Sequence, residues 1–300
     1  MEVILVDNCS VDGTVEYVRV NFPEVRVRSL DVNWGYGRAN NLGVRESSGE
    51  YIVILNPDTH IEPESLSRLI APLAERDRTI TVPKILLYDG SRINTCGNIE
   101  HFTGLTFTRG LGKDPDSFGS SEYVSGMSGA CFAMRRNEYL ELGGFDERFF
   151  VYMEDAEFSW RARSNLFGIL YVPDSVVYHD YSLKVTPQKL LQLEKGRYLL
   201  LKKYYRRRDL LSLLPSLAAS EVLTWGYAFK LGPPGVKAKA LSIMDNSWRE
   251  KSTSTIDPKQ LMRHLDRRIP IDQLSFTRLD KLMKRIANLT YHINCKVLIG

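Results

Sequence analysis

The stretch Tyr152 to Arg163, YMEDAEFSWRAR, sets Glu154, Asp155 and Glu157 within four positions and follows them with Arg161 and Arg163. Carboxylates crowded in this way serve one of two ends. They can occupy the first turn of a solvated helix, where the positive end of the helix dipole favours them and Glu157 pairs with Arg161 one turn on, for about 0.3 kcal/mol. Alternatively, one of them can act as a base that takes the proton of an attacking hydroxyl. Spacing alone leaves both open, because most clusters of charge are solvated faces.

The elements that would position these acids form a recognisable series. Val3 to Val6 is an apolar run that predicts a buried strand, and it stops at the turn formers DNCSVDGT ahead of a helical pattern from Val15 to Val20. Val25 to Val27 predicts a second strand, NWGYGRANN a glycine-rich loop running into a helix, and Tyr51 to Leu55 a third strand ending at NPDT. Strands alternating with helices imply βαβ units and a mostly parallel sheet, with ligands gathered at the carboxyl ends of its strands. Asp7 and Asp58 each follow an apolar strand directly and are expected to share one cleft. Between Thr81 and Val124 the pattern is of irregular strands and a mobile loop at KDPDSFGSS. GACFAMRR then restores a strand, EYLELGGFDERF gives a short helix and turn, and Gly168 to Val172 and Val176 to Tyr178 read as two further short strands.

At 300 residues and 43% hydrophobic, the chain has room for one large α/β domain and an appendage. Cys9, Cys96, Cys131 and Cys295 are too scattered for a disulfide framework or a structural zinc site, which fits a reducing cytosol. The opening residues lack the signal-peptide pattern, so a cytoplasmic location is expected. Beyond about Pro187 the character turns helical. The net charge is only +4, yet Lys202, Lys203, Arg206, Arg207 and Arg208 fall together, which points to an anionic surface as partner. LLSLLPSLAASEVLTWGYAF has the length of a membrane span with Glu221 as its one charge. Pro215 and the small polar residues favour a helix lying in the interface or packed within the protein over one that crosses. From Asn246 on the chain is polar, with helical patches near Lys259 to Asp266 and Arg278 to Asn288. Tyr198, Tyr204 and Tyr205 interleave the basic run, but nothing else supports a nucleic-acid partner.

Four elements, VDNCSVDGT, NWGYGRANN, LNPDT, and GGFDERFFVYMEDAEFSWRAR followed by VYHDYS, occur in an order and at spacings that resemble the family-two glycosyltransferases of the GT-A fold, in their rhamnosyltransferase-like branch. The resemblance covers Glu2 to Ser182. It implies an α/β, GT-A-like sheet flanked by helices over residues 1–184, with residues 185–300 as a helical C-terminal extension, membrane-associated in one reading. It also implies a nucleotide-sugar donor, a divalent metal (Mg or Mn), and inverting transfer of a sugar, rhamnose among the candidates, to a cell-surface glycan or polyprenyl-linked acceptor at the inner face of the plasma membrane. By resemblance Asp155 is the general base, with Glu154 beside it to bind the acceptor or raise its basicity. Asp58 and His179 hold the metal at the donor diphosphate. Asp7 hydrogen-bonds the nucleobase, Ser10 and Asp12 shape its loop, and Asn33, Gly35 and Asn40 line the donor side. Asn56-Pro57-Asp58 offers one carboxylate where the family often has two.

The family usually carries a strand ahead of the one matched by Val3 to Val6, inside the sheet, and it is not found before Glu2. The expected consequence is either a gap beside that strand or its direct pairing with Tyr51 to Leu55, and weak donor binding in both cases. A second reading, a non-catalytic sugar-nucleotide or glycan-binding partner in a polysaccharide assembly complex, draws on that feature.

Overall fold

The computed structural model describes residues 1–181, 185–231, 235–247 and 257–299. Ser182, where the resemblance ends, and the expected boundary at residue 184 lie outside them.

The chain runs β1 (Ile4–Asp7), α1 (Thr14–Asn21), β2 (Arg26–Ser29), α2 (Tyr36–Glu46), β3 (Tyr51–Leu55), β4 (Thr59–Ile61), α3 (Ser65–Ile70), β5 (Thr79–Leu87), β6 (Ile93–Thr95), β7 (Asn98–Glu100), β8 (Thr106–Thr108), β9 (Glu122–Tyr123), β10 (Cys131–Arg135), α4 (Arg136–Glu141), α5 (Glu154–Ser164) and β11 (Gly168–His179). Helices follow: α6 (Pro187–Tyr204), α7 (Arg207–Ser212), α8 (Leu214–Leu231), α9 (Gly235–Ser247), α10 (Pro258–His264) and α11 (Arg278–Ile299). The central sheet is mixed, in the order β3-β10-β5-β11-β4, with β6 added to β5 and β9 to β11. Its longest ladder, β5 with β11, is parallel, and β10 lies antiparallel between β3 and β5. The two strands expected at Gly168 to Val172 and Val176 to Tyr178 are one, β11, with a register irregularity between them. Pro173 has no N–H to give the ladder there.

Alternation along the strands assigns the two faces of the sheet. Ile52, Ile54, Phe132 and Met134 pack with Phe145, Phe158 and Ala162 on one face. Cys131 and Ala133 turn to the other, against Leu69 and Leu73. A third cluster joins Phe149, Met153, Ala156 and Trp160 to Leu200, Leu201, Tyr204, Leu261 and Tyr291, so α5 is covered on one side by the sheet and on the other by the C-terminal helices. Each large apolar side chain buried this way contributes about 1.5–3 kcal/mol. The acids of α5 therefore do not open a solvated helix, and the first of the two readings is excluded.

Strands β1 and β3 do not pair. Among the described residues β1 bonds only to β2, in a separate parallel sheet, and β3 only to β10. Of the two outcomes expected beside β1, the structure takes the open one: β1 is half-buried up to Asp7, and Leu55 at the end of β3 is exposed. Glu2 spans toward the other side, its Oε1 accepting from Ser48 N at 2.6 Å and Gly49 N at 3.1 Å just before β3.

Among the described residues no helix is long and apolar enough to cross a membrane. The charge of α8 is used internally: Glu221 accepts from the Arg197 guanidinium and from Tyr198 Oη at 3.1 Å, and pairs with Lys237 at 3.1 Å. Part of the basic run is internal too. Lys203 is bound to Asp146 at 2.7 Å and Glu157 at 2.6 Å.

An unpaired edge leaves backbone amides open to water. In hydrogen–deuterium exchange the β3 amides that point away from β10 are expected to exchange well ahead of those of β10, and equal protection of the two strands would show that the edge is covered.

Candidate active site

The acids at 154 and 155 are presented by a strained turn. Tyr152 and Met153, at φ 66° and 69°, are consecutive left-handed residues without being glycine, at a cost of about 1–2 kcal/mol each. Packing holds them there. On α6, Gly196 leaves room for Met153: a Cβ added to the glycine would stand 2.7 Å from that of Met153. Upstream, the Phe150 carbonyl accepts from Tyr36 N at 3.0 Å and presses on Gly35, whose φ of 84° and missing side chain the contact requires.

Asp155 is ringed by donors. Its Oδ2 accepts from Gly129 N at 3.2 Å and Asn98 Nδ2 at 3.5 Å, its Oδ1 from Ala156 N at 2.8 Å. Burial raises its pKa and the backbone donors counter that rise. Glu154 is more deeply buried, and its Oε2 has no partner among the described residues. Burial first, then the charge of Asp155, push it up to about 8. Burial thus pushes both carboxyls of the pair toward the protonated form, and Glu154 carries its proton at neutral pH. The third acid faces elsewhere: Glu157 is fully buried and bound by Arg161, Lys203 and Tyr204. Arg161 also donates to the Leu142 and Gly144 carbonyls, and Arg163 to that of Phe167.

The C-terminal end of β11 meets the loop after β3. His179 Nε2 lies 3.2 Å from Asp58 Oδ1, and its Nδ1 3.3 Å from Asn94 Oδ1. Burial lowers the His179 pKa more than Asp58 raises it, so the ring is neutral. In one tautomer Nε2–H donates to Asp58; in the other Nδ1–H donates to Asn94 and Nε2 turns its lone pair to the carboxylate, and this second form suits one shared divalent cation. Both donors belong to types that such ions accept, and the two atoms are close enough to ligate one ion at about 2.1 Å. No group of three such side chains occurs among the described residues. The Tyr181 ring stacks on His179 at 5.2 Å, and burial and then the charge of Asp155 raise its pKa. Lys189 of α6 donates to the Tyr181 hydroxyl and stands 5.2 Å over the Tyr152 ring. Sequence reading passed over Lys189 because it sits in a helix beyond the motifs.

At the end of β1 Asp7 is buried, and its carboxylate accepts from Ser10 N at 3.2 Å. Asp12 accepts from Thr14 N and Oγ1, capping the start of α1. Asn33 Oδ1 accepts from Gly35 N at 2.9 Å and from Asn8 Nδ2 at 2.8 Å, joining the two loops. Asn8, which the sequence reading did not single out, also accepts from Trp34 N. The Nδ2 of Asn40 donates to the Tyr36 carbonyl on its own helix. Its neighbour Asn41, also unforeseen, is buried and ties α2 to Phe145 and Tyr139. A chain of contacts runs from this loop to Asp155, since Tyr36 Oη donates at 2.5 Å to the carbonyl of Gly129, whose N–H donates to the Asp155 carboxylate.

Residues 1–143 match Glycosyl transferase family 2. Over this stretch the chain is similar to family 2 glycosyltransferases, and the relatives it resembles include a rhamnosyltransferase and a hexosyltransferase. It is 29% identical over 203 residues to N-acetylglucosaminyl-diphospho-decaprenol L-rhamnosyltransferase of Mycobacterium tuberculosis, covering 60% of this chain and 66% of that one. It is 27% identical to the low-salt glycan biosynthesis hexosyltransferase Agl10 of Haloferax volcanii, covering 54% and 53%. The chain thus spans less than two thirds of the length of these relatives. The crystal structure of GalNAc-T7 with UDP, GalNAc and Mn2+ superposes with a TM-score of 0.59 at 19% identity, over 87% of this chain and 50% of that one, which supports the GT-A fold.

The acid pair makes stability depend on pH. The folded pKa of Glu154, about 8, lies above its ordinary 4.5, so its protonated form is favoured by the fold. This contribution is fully present below about pH 4.5 and is lost as the pH rises through about 8. Glu154→Gln is expected to flatten the decline in urea midpoint between about pH 5 and about pH 8; an unchanged slope would show that Glu154 ionises normally.

Proposed function

We propose that the chain transfers a sugar from a nucleotide-sugar donor to a hydroxyl of a glycan or polyprenyl-linked acceptor, with inversion at the sugar carbon. The single observation that carries this reading is the Asp155 carboxylate, held by the N–H groups of Gly129 and Ala156 at the start of α5. An acceptor hydroxyl at Asp155 loses its proton to Oδ as its oxygen attacks C1 of the donor sugar, and the C1–O bond to the diphosphate breaks on the opposite side. Neutral Glu154 is then able to donate a hydrogen bond to the acceptor, and its neutrality avoids a second charge beside the base.

Asp58 and His179 are the residues that would hold a divalent metal, Mg or Mn, whose chemistry is to neutralise the charge that grows on the departing diphosphate. Lys189 adds a cation on the same side, held toward Tyr181. Asp7 serves the nucleobase, with Ser10 and Asp12 ordering its loop and Asn33, Gly35 and Asn40 lining the donor side. The relative from M. tuberculosis, whose name gives it a diphospho-decaprenol acceptor, favours a lipid-linked acceptor and rhamnose as the sugar. Work on such an acceptor places the protein at the cytoplasmic face of the membrane. The alternative, a sugar-nucleotide or glycan-binding partner without catalysis, is favoured by the open edges of β1 and β3 beside the donor loop.

Asp155→Asn is expected to lower transfer by on the order of 100-fold or more while leaving donor affinity nearly intact, because the base acts on the acceptor proton. Turnover close to the parent would refute its assignment. Asp58→Ala and His179→Ala are each expected to weaken Mn-dependent donor binding in calorimetry; binding that ignores both the metal and the substitutions would remove the proposed metal site.

A further inference from the structure

Helix α11 has two unlike faces. Tyr291, Asn294 and Cys295 are buried, and the first two bond to Ser220 and Ser216 of α8. Away from them Leu279, Leu282, Ile286, Leu289, Ile293 and Val297 recur at steps of three and four, each more than half exposed. At 3.6 residues per turn they form a stripe about 80° wide and about 27 Å long. Arg278, Lys281, Arg285, His292 and Lys296, all exposed, run along one border of it. The one carboxylate of the helix, Asp280, is taken by Lys230 and by the N–H groups of Phe276 and Thr277. Beside it α8 also turns Leu214, Val222 and Phe229 outward.

A contiguous apolar stripe of this length on a protein surface marks a site of contact. The steps of three and four would also suit a seam between two copies of α11. Such a seam is stabilised by opposite charges along its borders, and here, apart from Asp272 paired with Lys281 at 2.6 Å, each copy would bring bases. A surface that is apolar within and negative at its rim matches both features, and an anionic bilayer is one. We propose that the outer face of α11 is a membrane-docking surface, lying in the bilayer interface with its apolar stripe among the acyl chains and its border of bases at anionic headgroups. The inference rests on the transferase reading for its purpose, since it would bring the cleft to an acceptor carried on a lipid.

The test is co-sedimentation of the full chain with phosphatidylcholine vesicles, with and without about 30% phosphatidylglycerol. Bases near an anionic surface strengthen partition on the order of fivefold each. The parent is expected to favour the anionic vesicles at least tenfold, less so in raised salt. Ile286→Glu with Ile293→Glu is expected to abolish binding, and Arg285→Glu with Lys296→Glu to remove the anionic preference. Because these side chains are exposed, circular dichroism and melting temperature should match the parent. Equal binding to both vesicle types, or binding indifferent to both variants, would overturn the proposal. So would a dimer in sedimentation equilibrium that the isoleucine variant splits, which would assign the stripe to a second copy. Turnover on a water-soluble acceptor separates this inference from the transferase reading: the isoleucine variant should keep it while losing the vesicles. Vesicle docking by a parent without any turnover would leave α11 as proposed and sink the transferase.

Discussion

The left-handed turn at Tyr152 and Met153 is the constraint on which the site depends. Neither residue would stay there alone, since the strain exceeds what a short exposed turn supports. The fold supplies the difference from two directions, through Gly196 of α6 behind Met153 and through the Phe150 carbonyl bonded to Tyr36 ahead of it. The turn sets Glu154 and Asp155 at the start of α5 while Phe158 and Trp160, further along the same helix, go to two different cores. The donors around Asp155 and the buried acid beside it follow from that entry angle.

Much of the frame was legible. The strand Tyr51 to Leu55 was placed without error, and β1, β2, β10 and the helices between them follow the apolar runs and turn formers closely, because each is a local pattern that tertiary contacts reinforce. The closeness of Asp58 and His179 was anticipated by resemblance, though 121 positions separate them. Distant partners were the main loss. Lys203 stands in a run of bases that looks solvated, yet its carboxylates lie 46 and 57 positions away, and no local pattern reports them. Glu157 looked like one of three equivalent acids for the same reason.

Helix α11 shows a different limit. Apolar residues occur on more than one of its faces, and periodicity alone does not say which face the protein will cover. Tyr291 and Asn294 are chosen because Ser220 and Ser216 of α8 meet them, with the rings of Phe102 and His101 against Tyr291. The stripe from Leu279 to Val297 is what remains, and only the packed structure separates it from the core.

The third core also has a thermodynamic consequence. Met153 and Trp160 share one packed cluster with Tyr291 and Cys295 of α11. Free energies at the two ends of such a cluster are reciprocal: whatever tightens the packing of α11 through it makes the strained turn harder to relax, and whatever stabilises the turn tightens α11 to the same degree.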